Sequence, residues 1–214
     1  MKILLVAGGS PELWPQFEST DYDLFVGIDR GTWHLLARGI TPNFAVGDFD
    51  SLSASEREKV FATIPDVLSS IPEKDDTDTQ LALAETFKRY PTADVCLIGA
   101  TGGRLDHLLA NLWLGVEPRF VPHLAQLTLQ DRQNVVTYLA PGSYTIEKVP
   151  TMKYLGYCCL TPVTDLTLSK SKYTLDHVHV AQPTSWASNE FVGPTAEISF
   201  SAGIIAVVQS KDRA

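Results

Sequence analysis

Short apolar runs alternate with helix-spaced segments over the first 130 residues of the chain. Lys2–Val6, Leu24–Ile28, Phe44–Val46, Val67–Ile71 and Val95–Ile98 read as buried strands, since their apolar residues do not alternate with polar ones. Between them lie helical patterns. Trp33, Leu35 and Leu36 mark one, and Ser53-x-x-Glu56 is a capping box that opens a second. Leu81, Leu83, Ala84 and Phe87 mark a third, ending near Arg89 before Pro91. Leu105, Leu108, Leu109, Leu112 and Trp113 recur at i, i+3, i+4 spacing and mark a fourth. Leu124–Leu129 reads as a sixth strand. Strand–helix alternation of this kind predicts an α/β domain, a parallel sheet with helices on its faces in three layers.

The texture changes after about residue 131, where helical periodicity disappears. Val135–Ala140, Pro141-Gly142 and Tyr144–Lys148 read as a β-hairpin. Leu155–Pro162, Leu166–Ser169, Val178–Val180, Ala196–Ser201 and Ile204–Gln209 read as further strands, with a closing hairpin turned at Ser201-Ala202-Gly203. The expectation is an α/β domain over residues 1–130 and an all-β sandwich domain over 131–214.

Composition narrows the classes of function. The 214 residues carry a net charge of −8, which argues against a general nucleic-acid binder or a polybasic membrane-surface protein. The acidity is local. Residues 1–78 hold 14 acidic and 6 basic side chains, whereas 79–214 hold 11 of each. Three cysteines, Cys96, Cys158 and Cys159, make neither a disulfide framework nor a Cys-x-x-Cys site, in keeping with a reducing cytoplasm. The apolar start is too short for a signal peptide, and no run approaches a membrane span.

In open parallel sheets, ligands bind beyond the carboxyl ends of the strands. Here those ends carry Asp29-Arg30-Gly31, Gly47-Asp48-Phe49-Asp50-Ser51, Lys74-Asp75-Asp76-Thr77-Asp78 and Gly99-Ala100-Thr101-Gly102-Gly103-Arg104-Leu105-Asp106-His107. If its loop stays extended, Asp48 and Asp50 point the same way. Joined by Asp78 or Asp29, they make an oxygen-rich site suited to Mg²⁺ and phosphates; equally, they can be turn and capping residues before the Ser53 helix. Asp75 or Thr77 can cap the helix that follows, yet one cap does not need three carboxylates. Thr101-Gly102-Gly103-Arg104 offers backbone N–H groups and a guanidinium to polyphosphate oxygens. The bland reading of that segment is a glycine turn with an exposed arginine and His107 on a polar face. Walker A, G-x-G-x-x-G, G-x-S-x-G and H-E-x-x-H patterns are absent from the sequence. Cys158-Cys159 sits in an apolar run, and His177-x-His179 reads as scattered polar positions of the β domain. The residues alone thus point to a metal-assisted reaction on a nucleotide or phosphorylated ligand.

These loops, in this order and spacing, together with Asn111 and the late Ser188-Asn189-Glu190-Phe191 before Gly193, resemble the thiamine pyrophosphokinases of bacterial type, over nearly the whole chain. The resemblance implies a homodimer that transfers diphosphate from ATP to the thiamine hydroxyl, giving thiamine diphosphate and AMP. It implies Mg²⁺ on Asp48, Asp50 and Asp78, and catalytic roles for Asp50, Asp78 and Arg104. Nucleotide contacts would come from Asp29, Lys74, Asp75, Thr77, Thr101, Gly102, Gly103, Arg104, Asp106 and His107, and thiamine contacts from Ser188 and Asn189. The chain departs from the family pattern Asp-Gly-Gly-Ala-Asn at Asp29-Arg30-Gly31-Thr32-Trp33. It also lacks the tryptophan that some eukaryotic relatives carry in the last strand, which leaves Trp186 as a candidate ring for thiamine. The alternatives are a related pyrophosphokinase acting on a hydroxymethyl pterin, and a nucleotide- or thiamine-sensing module without turnover.

Overall fold

In the computed structural model, residues 1–69 and 75–212 are described. The chain divides into two compact units. The first comprises residues 1–114 and 128–132, the second 115–127 and 133–214.

The first unit contains β1 (Lys2–Val6), β2 (Leu24–Ile28), α1 (Arg30–Ala37), β3 (Phe44–Gly47), α2 (Ala54–Thr63), β4 (Val67–Ser69), α3 (Asp78–Arg89), β5 (Asp94–Ile98), α4 (Leu105–Trp113) and most of β6 (Leu127–Gln130). Its strands lie in the order β6-β5-β1-β2-β3-β4. β1 runs parallel to both β5 and β2, and β3 runs parallel to both β2 and β4. Ile3, Leu4, Leu5 and Val6 are all completely buried, which is the signature of a central strand covered on both faces. On one face Leu4, Val6, Trp14, Phe25, Leu35 and Ile98 form a cluster. Beside it Ala45, Phe49, Leu52, Val60 and Ile64 hold α2 in place. The helices start where the sequence places them. Ser53 and Glu56 make a reciprocal capping box on α2, and Thr77 and Gln80 do the same on α3.

Register sets the site. Val6 pairs with Ile98 and with Gly27, Ile28 with Val46, and Gly47 with Ser69. The strand ends are therefore level, and the loops after β1, β2, β3 and β5 leave from one edge. α1 is pressed against this edge. A Cβ on Gly31 would lie 1.9 Å from the Val6 carbonyl oxygen, so only glycine allows the helix to begin there.

The second unit is antiparallel. It comprises β7 (Asn134–Leu139), β8 (Gly142–Glu147), β9 (Tyr154–Cys159), β10 (Val163–Ser169), β11 (Leu175–Val180), β12 (Thr184–Glu190), β13 (Thr195–Phe200) and β14 (Ile205–Ser210). One layer has the order β12-β9-β14-β7 and the other β11-β10-β13-β8. Leu155, Tyr157, Leu166, Leu168, Ile198, Phe200, Ile205 and Val207 fill the space between them, as in a sandwich.

Three local expectations are corrected. β7 and β8 are not a hairpin, since β7 pairs with β14 and β8 with β13. The link at Ala140–Pro141 is a corner between sheets, tied by the Tyr144 hydroxyl donating to the Ala140 carbonyl at 2.9 Å. The closing pair β13 and β14 likewise belongs to different sheets. Alternation marks an inward face, and it reads the same in a hairpin and across a corner. Finally, Val121–Gln126 is a 3-10 helix with Pro122 in its first turn, so the strand begins only at Leu127.

Candidate active site

A cleft of about 480 Å³ opens at the level edge of the parallel sheet. Its floor is Ala7, Gly8 and Gly9 after β1, and its walls bear Asp29, Arg30, Ser51, Thr77, Asp78, Gly102, Gly103, Arg104, His107 and Asn111. Loops far apart in the sequence meet here because the strand ends are level.

The carboxylates gather beside this cleft. Among the described residues, Asp29, Asp48 and Asp50 bring oxygens within 4.8 Å of one another. Of the two candidates for the third carboxylate, Asp78 and Asp29, the one in this group is Asp29. Asp78 lines the same cleft and stands close enough for its charge to act on Asp29. The expected cause also changes, because the β3 loop is not extended. Phe49 takes a left-handed φ of 59°, and its ring is fully buried in the α2 cluster, edge-on to Phe61. The Asp50 N–H turns back to donate to Asp48 Oδ1 at 3.1 Å. Burying Phe49 thus leaves the acids on either side of it at the surface of the site.

Asp29 is the most constrained of the three. It too has positive φ, 45°, a conformation that costs energy for a side chain with a Cβ. Ser51 Oγ donates to its Oδ2 at 2.6 Å, while Oδ1 is buried with no hydrogen-bond partner. Burial pushes the Asp29 carboxyl above its ordinary range. The Ser51 hydroxyl and the Arg30 backbone N–H offset part of that rise, and the charges of Asp78 and Asp48 add to it. An orphaned buried carboxylate oxygen facing two further carboxylates is what a hard divalent cation satisfies. The residues present therefore fit Mg²⁺.

The phosphate-facing side is built from the β5–α4 loop. Gly102 and Gly103 both have positive φ, 76° and 67°, which explains the glycine pair. Asn111 is buried in α4, and its amide donates to the Ala100 carbonyl at 2.8 Å, fixing helix to loop. Thr101 donates to Asp131 Oδ2 at 2.6 Å, so it secures the loop on the β6 side. Arg104 is exposed and paired with Asp106. Such a pair is worth little in water and is readily exchanged for another anion. Asp106 also accepts from the His107 N–H at 3.0 Å. Thr77 caps α3 while lining the cleft, and Asp75 is exposed nearby in sequence. Lys74 lies outside the described residues.

The two departures in the β2–α1 segment differ. Trp33 packs with the α2 cluster, under the Lys59 ammonium at 5.5 Å. Arg30 lines the cleft itself. Sequence reasoning gave it no site role, and its position directly after Asp29 was the available signal.

In the second unit, Ser188 has a φ of 62° at a bulge in β12, between the Trp186 and Asn189 registers. Asn189 is only 2% exposed. Its Oδ1 accepts from the Tyr173 and Glu190 N–H groups at 2.9 Å each, and its Nδ2 donates to the Tyr173 carbonyl at 2.8 Å. The amide is thereby committed to holding the Ser171–Tyr173 segment against β12. Asn189→Ala should cost about 1–3 kcal/mol, the loss expected when buried groups lose their partner, measured by denaturant unfolding. Trp186 packs against the sandwich core. Burial pushes the Cys96 and Cys159 thiols up to about 11, so neither is a thiolate nucleophile at neutral pH.

Comparison with known proteins reads the two units alike. The thiamin pyrophosphokinase catalytic domain matches residues 17–123, and the thiamin pyrophosphokinase vitamin B1 binding domain matches residues 143–205. The thiamine pyrophosphokinase of Bacillus subtilis is 35% identical over 98% of this chain and 99% of its own. The chain belongs to the thiamine pyrophosphokinase family. A crystal structure of a thiamin pyrophosphokinase family protein from Enterococcus faecalis superposes with a TM-score of 0.96, at 57% identity and full coverage of both chains. That of the Geobacillus thermodenitrificans thiamin pyrophosphokinase gives 0.83 at 35% identity, covering 100% of this chain and 99% of that one. The Candida albicans family structure, at 14% identity and a TM-score of 0.75, shares the fold. The vitamin B1 binding match lies within the β-sandwich, and the catalytic match carries Asp29, Asp48, Asp50, Asp78 and Arg104 of the acidic cleft.

Proposed function

We propose that this chain transfers a diphosphate group from ATP to the hydroxyl of thiamine, releasing thiamine diphosphate and AMP. The observation that carries this reading is the convergence of Asp29, Asp48 and Asp50 beside a cleft that also presents Asp78 and Arg104, in a chain of this family. The phosphate chain of ATP lies along Gly102 and Gly103, with Arg104 exchanging Asp106 for phosphate oxygens. Asp29, Asp48 and Asp50 would hold Mg²⁺, which would neutralise charge on the phosphates. The thiamine hydroxyl attacks the β-phosphorus. The bond from that phosphorus to the α–β bridging oxygen breaks, and AMP leaves in line. A carboxylate of the cleft takes the hydroxyl proton. Asp78, which lines the cleft, or Asp50 is the acceptor. Lys74, Asp75, Thr77, Thr101 and His107 complete the nucleotide environment. Ser188 presents thiamine with its exposed hydroxyl, and Asn189 supports it through the backbone.

The active form is a homodimer. Support comes from α4, which leaves Leu105, Leu109 and Trp113 exposed at a spacing of four residues. A cytoplasmic setting agrees with three free thiols. No helix among the described residues is long and apolar enough to cross a membrane. Mass-resolved products from ATP and Mg²⁺ with either thiamine or a hydroxymethyl pterin test the reading. Thiamine diphosphate with AMP is expected. A diphosphorylated pterin beside untouched thiamine would overturn it, as would binding of both substrates without any product.

A further inference from the structure

The cleft contains a second guanidinium besides that of Arg104. Arg30 follows Asp29 at the first position of α1, and that position is dictated by packing. Gly31 abuts the Val6 carbonyl, as described above, which plants the start of the helix on the end of β1. A Cβ on Gly8 would lie 3.3 Å from the Arg30 Cβ, so the stem of Arg30 runs along the glycine floor. The side chain lines the cleft with Asp29, Asp78, Gly102, Gly103 and Arg104 and is 34% exposed.

Its only ion pair in the structure as described is loose. Glu56 is held by the α2 capping box, with Oε2 accepting from the Ser53 N–H at 2.8 Å. Its Oε1 faces Arg30 Nη1 at 4.0 Å. At that separation the fork of the guanidinium makes no bidentate bond to the carboxylate. Glu56 biases the head without saturating it. A half-buried arginine beside a carboxylate cluster, with its planar donors uncommitted and a glycine-floored cleft before it, is arranged for an anion with several oxygens.

We infer that Arg30 binds the phosphate chain of the nucleotide from the β1–α1 wall, opposite in sequence origin to Arg104, and that Glu56 positions it. This rests on the nucleotide reading given above. Arg30 would clamp the chain from the side of the carboxylates, whereas Arg104 is exposed and paired with Asp106.

Calorimetric titration of the full-length protein in Mg²⁺, with a non-hydrolysable ATP analogue and separately with adenosine, tests this. Wild-type protein that fails to bind the analogue would overturn the nucleotide reading itself. Where wild type binds, Arg30→Ala should weaken the analogue by about 10- to 100-fold, as for one lost charge-assisted contact, and leave adenosine unchanged. Arg30→Lys should fall between, retaining charge but losing the planar fork. Glu56→Gln keeps the capping box and should weaken the analogue less than Arg30→Ala does. Wild-type affinity in Arg30→Ala would overturn the inference. So would equal losses for analogue and adenosine, or identical effects of Arg30→Ala and Glu56→Gln on ligands and melting, since these mark a purely structural tie between α1 and α2. Should Arg30→Ala not fold, the Arg30→Lys and Arg30→Gln pair makes the same comparison.

Discussion

Asp29→Asn should melt at a higher temperature than wild type in the absence of divalent cations and turn over ATP about 10²- to 10⁴-fold more slowly. Both effects come from one atom. Asp29 Oδ1 is buried without a partner, in the field of Asp48 and Asp78. Its ionised form is disfavoured in the folded chain, which is why the carboxyl is raised. An acid raised in this way loses folding stability as the pH climbs from its unfolded-state value to its folded-state one, so removing the charge at neutral pH returns that stability. The gain is read as a rise in melting temperature, at roughly 2–4 °C per kcal/mol for a chain of this size. Asparagine has nearly the shape of aspartate, so it inherits the same positive-φ backbone as Asp29 and can keep a hydrogen bond to Ser51. Asp50→Ala makes the contrast. Asp50 is exposed, so its loss should lower turnover on the same scale with no thermal gain. Thermal unfolding with and without Mg²⁺, beside initial rates, measures both. A metal-free Asp29→Asn protein that is less stable and fully active would refute the assignment of Asp29 to a cation.

Phe49→Ala should produce the largest loss of stability among residues of the site loops, about 3–5 kcal/mol for an aromatic ring emptied from a core. Phe49 is completely buried, among Ala45, Leu52, Val60 and Ile64. Alanine leaves a cavity under α2 while retaining the left-handed φ, so the anchor is lost and the strain stays. The loop would then lose the force that sets Asp48 and Asp50 beside Asp29. Turnover should fall more steeply than the folded fraction does, because metal affinity depends on that convergence. Phe49→Leu refills part of the volume and should recover much of both. Denaturant unfolding followed by Mg²⁺ titration of activity separates the two terms. A Phe49→Ala protein with normal Mg²⁺ dependence would show that the ring has no part in placing the acids.

How far this was legible in the sequence depends on what each residue type encodes. Parallel strands buried on both faces have no alternation, so Lys2–Val6 and Val95–Ile98 announce both their structure and their neighbours' direction. Once those strands are placed, level ends bring the acidic loops together. That is why Asp48, Asp50, Asp78 and the Gly99–His107 segment could be grouped before any coordinates. The helix caps were legible for a similar reason, since Ser53 with Glu56 and Thr77 with Gln80 are local chemistry. Other features are set by long-range packing. That Asp29 joins the cluster more closely than Asp78 follows from its strained backbone and from Gly47 pressing against it, with a Gly47 Cβ site only 3.1 Å from the Asp29 Cα. Neither is a property of the Asp-Arg-Gly string. β12 carries Thr, Ser, Trp, Ala, Ser, Asn and Glu, with a bulge that breaks its alternation, so it left no strand signal. The partners of β7 and β8 are not legible because the two-residue link Ala140-Pro141 ahead of Gly142 suits a hairpin and a sheet-to-sheet corner equally well. The role of Asn189 shows the same limit. Its motif gives no sign that its amide satisfies backbone groups that only the folded β12 brings near.

The decisive measurement is the fate of the β-phosphate. ATP labelled at the β-phosphorus is incubated with thiamine, Mg²⁺ and the full-length protein, and the labelled products are separated. Attack at the β-phosphorus predicts the whole label in thiamine diphosphate, unlabelled AMP in equal amount, and no ADP. Labelled ADP appearing with unlabelled thiamine monophosphate would contradict diphosphate transfer in this cleft.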